Sequence, residues 1–437
     1  MANDGASGVK LHTRIVVGLV AGALAGSAVN ATAGEATWVA WVNTNVASPV
    51  GQVFLRMLFM TVVPLVFASL TLGVAGIGNV GRLGRIGVKT LAYFLVSTAL
   101  STVVGLVLVS VVDPGGGIDQ ATRQELLATY RGQAEGLQLG GGVGFGVSTF
   151  VNMIPRNPVQ AAAAGDMLAV IFFALVFGAA LTRLSNDRAQ PMLGVVGALA
   201  DIVMMIIDFA MKLAPYGVFA LIFGVTSRFG WHLLGELGWY VVVVVVGLLI
   251  HAGVNLSLLV RVLGGMNPIE FWYRSRTSLI TAFSTSSSNA TLPTTIAVAE
   301  HQLGVPPIIA GFVLPLGATM NMNGTALYEG VTVLFLAQVF GVDLTLAQQL
   351  VVLILSVLTA VGTAGVPGGS LPLMMVVLAT VGVPAEGIAI ILGVDRILDM
   401  CRTTLNVAGD LTAALFVART ETVVTDVTMP EAPVAVA

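Results

Sequence analysis

Charged residues are scarce in this chain. Asp, Glu, Lys and Arg make up 9% of its 437 residues, where a soluble domain carries about a quarter. Apolar residues make up 56% and the mean hydropathy is +0.95. A deficit this large excludes a water-soluble globular protein and implies a polytopic membrane protein whose outer surface meets a lipid bilayer. Cysteine occurs once, at Cys401, which excludes an intrachain disulfide framework. The four histidines, His12, His232, His251 and His301, lie apart from the polar motifs described below. No arrangement of base and nucleophile supports an intramembrane hydrolase. The net charge of -3, with no basic patch, gives no sign of nucleic acid. No small-residue cleavage site follows the first apolar run after Lys10 and Arg14, so that run reads as a spanning helix rather than a leader. Glycine is abundant, at 51 residues, as expected where membrane helices pack closely or break.

Spanning helices of about 20 apolar residues are predicted at 12–31, 48–77, 87–112, 147–185, 195–226 and 234–263. The fourth is broken near Pro155 and Pro158. Beyond residue 265, Ser, Thr, Asn, Gly and Pro interrupt the apolar runs at what would be membrane depth. A helical hairpin is predicted over 267–300, a broken spanning helix over 306–337, a second hairpin over 345–381 and a last spanning helix over 384–418. The expected fold is all-α, with eight transmembrane helices plus two re-entrant helical hairpins. Residues 1–265 hold the first six helices and 266–420 a polar core region. The Gly-rich stretch 113–146 reads as a surface loop, and the tail 421–437 is expected to be disordered.

The short loop Gly81 to Lys89 carries Arg82, Arg85 and Lys89, so it is cytoplasmic by the positive-inside rule. Both termini are then cytoplasmic. The first hairpin enters from the cytoplasm and the second from outside. Two hairpins from opposite faces, each followed by a polar spanning helix, form an inverted repeat. Irregular backbone survives at membrane depth only inside protein or beside a cavity, and such repeats place a site near the midplane.

Four motifs could build that site. Asp395, Asp399, Arg402, Asn406 and Asp410 share one helical face. Charges at membrane depth normally face a bundle interior or a wet cavity. An Arg fork suits a carboxylate and an Asp one turn away suits an ammonium, although the two could also neutralise each other. Asp395 and Arg396 read as structural charges. The run Ser286-Ser287-Ser288-Asn289-Ala290-Thr291-Leu292-Pro293 suits a hairpin tip whose helix end faces an anion, or an ordinary polar loop. Gly317-Ala318-Thr319-Met320-Asn321-Met322-Asn323-Gly324-Thr325 should open a helix and free oxygens for a hard cation, or else serve interhelical hydrogen bonds. Gly362-Thr363-Ala364-Gly365-Val366-Pro367-Gly368-Gly369-Ser370 is too rich in Gly and Pro for a regular helix and reads as a second, flexible tip, or else as an ordinary exterior loop.

Together these motifs resemble the glutamate transporter family, the dicarboxylate/amino acid:cation symporters, and within it the prokaryotic sodium-coupled aspartate/glutamate transporters. The resemblance runs from the first helix to about residue 418. It rests on SSSNATLP from Ser286, NMNGT from Asn321, GTAGVPGG from Gly362 and DMCRTTLNVAGD from Asp399. Pro64 to Ser69 and Pro215 to Leu221 add to it.

The resemblance implies a homotrimer in the inner (plasma) membrane that works as an elevator. Helices one, two, four and five form the scaffold; helices three, six, seven, eight and the hairpins form the mobile part. By similarity Arg402, helped by Thr325, binds the side-chain carboxylate of an acidic amino acid, and Asp399 binds its amine. Thr403 and Asn406 contact the main-chain groups, Ser287 and Ser288 hold the α-carboxylate, and Val366 and Gly368 close over it. One Na⁺ would sit near Gly317, Asn321, Asn406 and Asp410, and a second between Thr319, Ala360, Val361 and Thr363. The family motif is NMDGT, and Asn323 departs from it. A third cation site with Ser97 and Thr98 is therefore expected to be weakened, through loss of one buried charge. Proton coupling, C4-dicarboxylate or neutral amino acid substrates, and an anion channel stay open.

Overall fold

A computed structural model describes residues 11–33, 36–78, 84–118, 120, 123–124, 154–164, 166–229, 232–363, 365 and 367–421. The expectations for residues 81–83 of the basic loop, for most of the Gly-rich stretch, for 147–153, for the tail beyond Glu421 and for Val366 lie outside the described residues. Among these residues the regular elements are helices. The first half holds α1 (Leu11–Ala33), α2 (Thr37–Val42), α3 (Ser48–Phe59), α4 (Val62–Gly78), α5 (Gly84–Val112), α6 (Pro158–Ala164), α7 (Met167–Leu181), α8 (Asn186–Phe229) and α9 (His232–Ile250). The second half holds α10 (Pro268–Thr285), α11 (Ser288–His301), α12 (Pro307–Met320), α13 (Asn323–Phe340), α14 (Leu346–Gly362), α15 (Leu371–Thr380) and α16 (Leu392–Thr420).

Thr13–Ala33, Thr37–Ala75, Arg85–Val112, Asn186–Arg228 and Gly235–Gly264 are long and apolar enough to cross a membrane by length and composition. The expected span at 195–226 lies within α8, which is longer and runs for 44 residues from Asn186. Its first turns carry Asp187, Arg188 and Gln190. An apolar window cannot register polar turns, which a long helix extends into once it is nucleated.

The interruptions of the second half are helix ends. Asn267 accepts a hydrogen bond from the Ile269 amide at 3.0 Å, and Pro268 follows it, so α10 starts there. α10 stops at Ser286, which is left-handed at φ 50°, a conformation uncommon for a residue with a side chain. Ser287 then caps α11 by accepting from the Ala290 amide at 3.1 Å. Thr345 and Gln348 form a capping box on α14. These ends turn 267–301 into one hairpin and 346–380 into a second.

Between them α12 ends at Met320, and α13 starts at Asn323. Met322 at the N-cap brings no side-chain acceptor of its own. Another helix supplies it: Asn406 Oδ1, on α16, accepts from the Gly324 amide at 2.8 Å and the Thr325 amide at 3.3 Å. That cross-helix cap satisfies the freed amides and lets the break persist away from water.

α1, α3 and α4 pack on α8, and α7 packs on α4. α16 lies at the centre of the other half and contacts α5, α10, α11, α12 and α13. The second hairpin packs on α4, with α15 also on α3, whereas the first hairpin packs on α12 and α16. α13 is buried on all sides, with Gln338 alone half-buried, which marks it as an interior helix. The end of α16 is fastened to the start of α5 by Glu421, which accepts from Arg85 Nη2 at 2.6 Å and pairs with Lys89 at 2.6 Å. The Arg85 hydrogen bond, helped by Lys89, holds the Glu421 carboxyl below the usual carboxylate range.

Candidate functional site

Segments 286–288, 322–325 and 399–406 meet Thr363, Gly365 and Ser370 around a cavity. It is lined by Ser286, Ser288, Met322, Thr325, Thr363, Gly365, Ser370, Asp399, Arg402, Thr403 and Asn406. Each wall follows from a local event already described. The left-handed turn at Ser286 brings the start of α11 to the cavity, and the break at Met322 does the same for α13. α16 contributes side chains at helical spacing from one face.

Arg402 is the sole cation in this lining and is 1% exposed. Its Nε donates to Asp399 Oδ1 at 3.0 Å. Its Nη1 lies 3.2 Å from Asp395 Oδ1 at an angle that makes no hydrogen bond. Its guanidinium stacks 4.3 Å from the ring centroid of Tyr328, whose hydroxyl donates to Asp395 Oδ1 at 2.8 Å. Asp399 and Arg402 thus pair with each other, as the spacing allowed. The Nη1 protons of Arg402 still have no hydrogen-bond acceptor. Asp395 and Arg396 do not pair as neighbours: Asp395 supports Arg402, while Arg396 Nη1 donates to Asp399 Oδ2 at 3.3 Å.

The two hairpin tips touch. The Ser287 hydroxyl donates to the Gly365 carbonyl at 2.6 Å, and the Asn289 amide donates to the same oxygen at 3.2 Å. The Gly368 amide donates to Asp399 Oδ2 at 3.3 Å, from a φ of 75° that suits a residue without Cβ. The second tip is therefore closed on both the first tip and α16.

Of the residues expected to bind substrate, Ser288, Thr325, Asp399, Arg402, Thr403 and Asn406 line the cavity. Ser287 and Gly368 sit beside it, holding the tips, and Asn406 also donates to Thr325 Oγ1 at 3.2 Å. Ser286, Met322, Gly365 and Ser370 line it without having been singled out. All four lay inside the quoted motifs, whose interruption of the apolar pattern was the available signal. Asp395 and Arg396 carried the signal of the charged helical stretch, whereas the supporting position of Tyr328 carried none.

The expected cation residues fall in two places. Asp410 is 2% exposed, and its Oδ1 accepts from Asn321 Nδ2 at 2.9 Å. A Cβ at Gly317 would lie 2.5 Å from that oxygen, so Gly317, Asn321 and Asp410 come together one turn below Asn406. Asn321 Oδ1 is buried without a partner. Carboxylate, amide and carbonyl oxygens of this kind suit a hard monovalent cation. Thr363 reaches the cavity and Ala360 is buried beneath it, next to Met322. Gly365 packs on the Ala318 carbonyl, which brings the second tip to the end of α12 that carries Thr319. Val361 sits in the last turn of α14, next to Gly73. Around Asn323 the polarity is inverted relative to a cation cage. Its Nδ2 donates to Ser97 Oγ at 3.2 Å, and Thr98 Oγ1 is buried without a partner.

Glu329 was not anticipated as a functional residue. It is 0% exposed on α13. Its Oε2 accepts from Thr359 Oγ1 at 2.6 Å, and its Oε1 has no partner. A buried carboxyl oxygen without a partner is uncommon in a folded protein.

A family model described as the sodium:dicarboxylate symporter family matches residues 11–420. The proton/glutamate-aspartate symporter of Escherichia coli is 36% identical over 94% of this chain and 93% of its own length. The proton/sodium-glutamate symport protein of Bacillus subtilis is 35% identical over 94% and 92%. The C4-dicarboxylate transport protein of Rhodospirillum rubrum is 32% identical over 85% and 82%. These relatives are transporters rather than enzymes. With its polar motifs gathered at one cavity and nearly its whole length matched, the chain belongs to the sodium:dicarboxylate symporter family.

Proposed function

We propose that this protein is a secondary active symporter that brings an acidic amino acid, aspartate or glutamate, into the cell. The observation that carries this reading is the pairing, in one cavity, of Arg402 with unused Nη1 protons and the carboxylate of Asp399. A dicarboxylic amino acid presents the matching groups. Its side-chain carboxylate meets the Arg402 fork, its ammonium meets Asp399, and its α-carboxylate meets the start of α11.

In this reading the chain is a homotrimer of eight spanning helices and two hairpins per copy. It sits in the plasma membrane with both termini in the cytoplasm. The mobile half slides as an elevator past α3, α4 and α8. Na⁺ travels with the substrate at the Asp410 cluster and at the junction of Thr319, Ala360, Val361 and Thr363. The second site needs the closed tip, and the tip needs substrate, which couples the two.

Asn323 lowers the number of Na⁺ carried, because its amide protons face Ser97 where a cation needs oxygens. Asn323→Asp should add one Na⁺ to the wild-type coupling ratio. Reversal potentials measured in proteoliposomes check this; an unchanged ratio rejects the role given to Asn323.

A proton-coupled reading is favoured by one observation, the buried and half-satisfied carboxyl of Glu329. Names of the relatives include both proton and sodium coupling. Radiolabelled aspartate uptake into proteoliposomes, driven in turn by Na⁺, H⁺ and K⁺ gradients, separates the two readings. Na⁺-driven accumulation is expected. If a proton also moves, Glu329→Gln should abolish the response to the H⁺ gradient while leaving the response to Na⁺. Absence of accumulation under every gradient rejects the symporter reading, and substrate-independent current would point to a channel.

A further inference from the structure

Asp399 is surrounded by more positive charge than an ammonium ligand needs. Arg402 Nε donates to its Oδ1 at 3.0 Å, and Arg396 Nη1 donates to its Oδ2 at 3.3 Å. The two arginines stand three residues before and three after it on α16, so the helix itself holds the arrangement. They are not equivalent. Arg402 lines the cavity, whereas Arg396 does not. The Arg396 side chain is 15% exposed, so its pair with Asp399 is largely sheltered from solvent.

The consequence appears when the ligand is a diacid without an amine. Its carboxylate engages the Arg402 guanidinium, which already serves Asp395 as well. Without Arg396, Asp399 would then stay buried beside the negative charges of the ligand, with the neutral Gly368 amide on its Oδ2 and no cation there. A buried carboxylate stripped of its partner is strongly penalised, and a site built for an amine normally rejects analogues that lack it. Arg396 removes that penalty, because it faces the oxygen of Asp399 that Arg402 does not use. When an amino acid binds, its ammonium shares Asp399 with Arg396.

We propose that Arg396 is a specificity-determining residue, which neutralises Asp399 when the ligand has no amine and so opens the site to C4-dicarboxylic acids as well as acidic amino acids. The inference rests on the reading of Asp399 as the amine ligand given under the proposed function.

Competition uptake tests it with the full-length protein in proteoliposomes. Succinate, and separately unlabelled aspartate, compete with radiolabelled aspartate for the wild type, Arg396→Gln and Arg396→Lys, and KM and kcat for aspartate are measured in parallel. Succinate is expected to compete in the wild type. In Arg396→Gln the ratio of succinate to aspartate inhibition constants should rise at least about tenfold, since only the amine-free ligand leaves Asp399 without a cation. Arg396→Lys, which keeps the charge, should recover most of that ratio. A merely structural role for Arg396 would move both ligands together and leave the ratio unchanged, which overturns the proposal. Aspartate uptake by the wild type that excess succinate leaves untouched also overturns it, with no variant needed. A wild type that transports no aspartate rejects the symporter function itself, a separate outcome.

Discussion

Arg402→Cys should abolish uptake of aspartate and glutamate, with kcat/KM falling by at least about a hundredfold. Two effects combine. The substitution removes the sole cation of the cavity lining, and with it the bidentate partner for a substrate carboxylate. It also strips Asp395 and Asp399 of the guanidinium that pairs with both, at 3.2 and 3.0 Å. Breaking a buried ion pair by removing one partner costs about 3–5 kcal/mol; here one guanidinium serves two carboxylates, of which Asp399 retains Arg396. Arg402→Lys should not restore activity. A Lys ammonium is a point charge without the planar fork, and it forfeits the stacking over Tyr328. Uptake of radiolabelled aspartate by the purified variant in proteoliposomes decides the matter. Wild-type rates in Arg402→Cys would remove the basis for an acidic substrate.

Gly324→Ala should weaken aspartate binding more than it weakens the fold. A Cβ at this position would lie 2.4 Å from the Arg402 carbonyl oxygen and 3.0 Å from its Cα. Both are backbone atoms of α16, so no side chain can swing away, and α13 must back off from α16. Overpacking of this kind costs about 1–3 kcal/mol. The displacement falls on Arg402, whose guanidinium is proposed to bind the substrate carboxylate. It also lengthens the 2.8 Å cap from the Gly324 amide to Asn406 Oδ1. Gly311→Ala is the matched control, since nothing lies within 4 Å of its Cβ position on α12. Calorimetric titration with aspartate and thermal unfolding in detergent should show a binding loss of at least about tenfold for Gly324→Ala, with a modest fall in Tm. Equal affinities for the two variants would mean that the crossing of α13 and α16 does not position Arg402.

Much of the second half was legible because its signals are local. Asn267 and Pro268 start a helix by supplying an acceptor and tolerating a missing amide. Thr345 with Gln348 does the same for α14. The density of Gly and Pro after Gly362 forbids a helix whatever surrounds it. The polar face from Asp395 to Asp410 follows from helical periodicity alone. The start of α8 was missed for the opposite reason, since its first turns are polar and carry no apolar period.

The amino-acid sequence by itself determined that the chain lives in a membrane, that two interrupted hairpins flank a broken helix, and that one helical face carries the charges. Each of these depends on composition or on spacing within a few turns. Only the tertiary structure decided which groups meet. The acceptor that caps α13 comes from Asn406, 82 residues beyond Gly324, and the Ser287 hydroxyl finds Gly365, 78 residues away. Asp395 serves Arg402, and Arg396 serves Asp399. Spacing on a helix offers several partners of opposite charge at similar reach. The choice among them depends on where neighbouring helices exclude water and leave a donor or acceptor unpaired, and that is a property of the packed molecule.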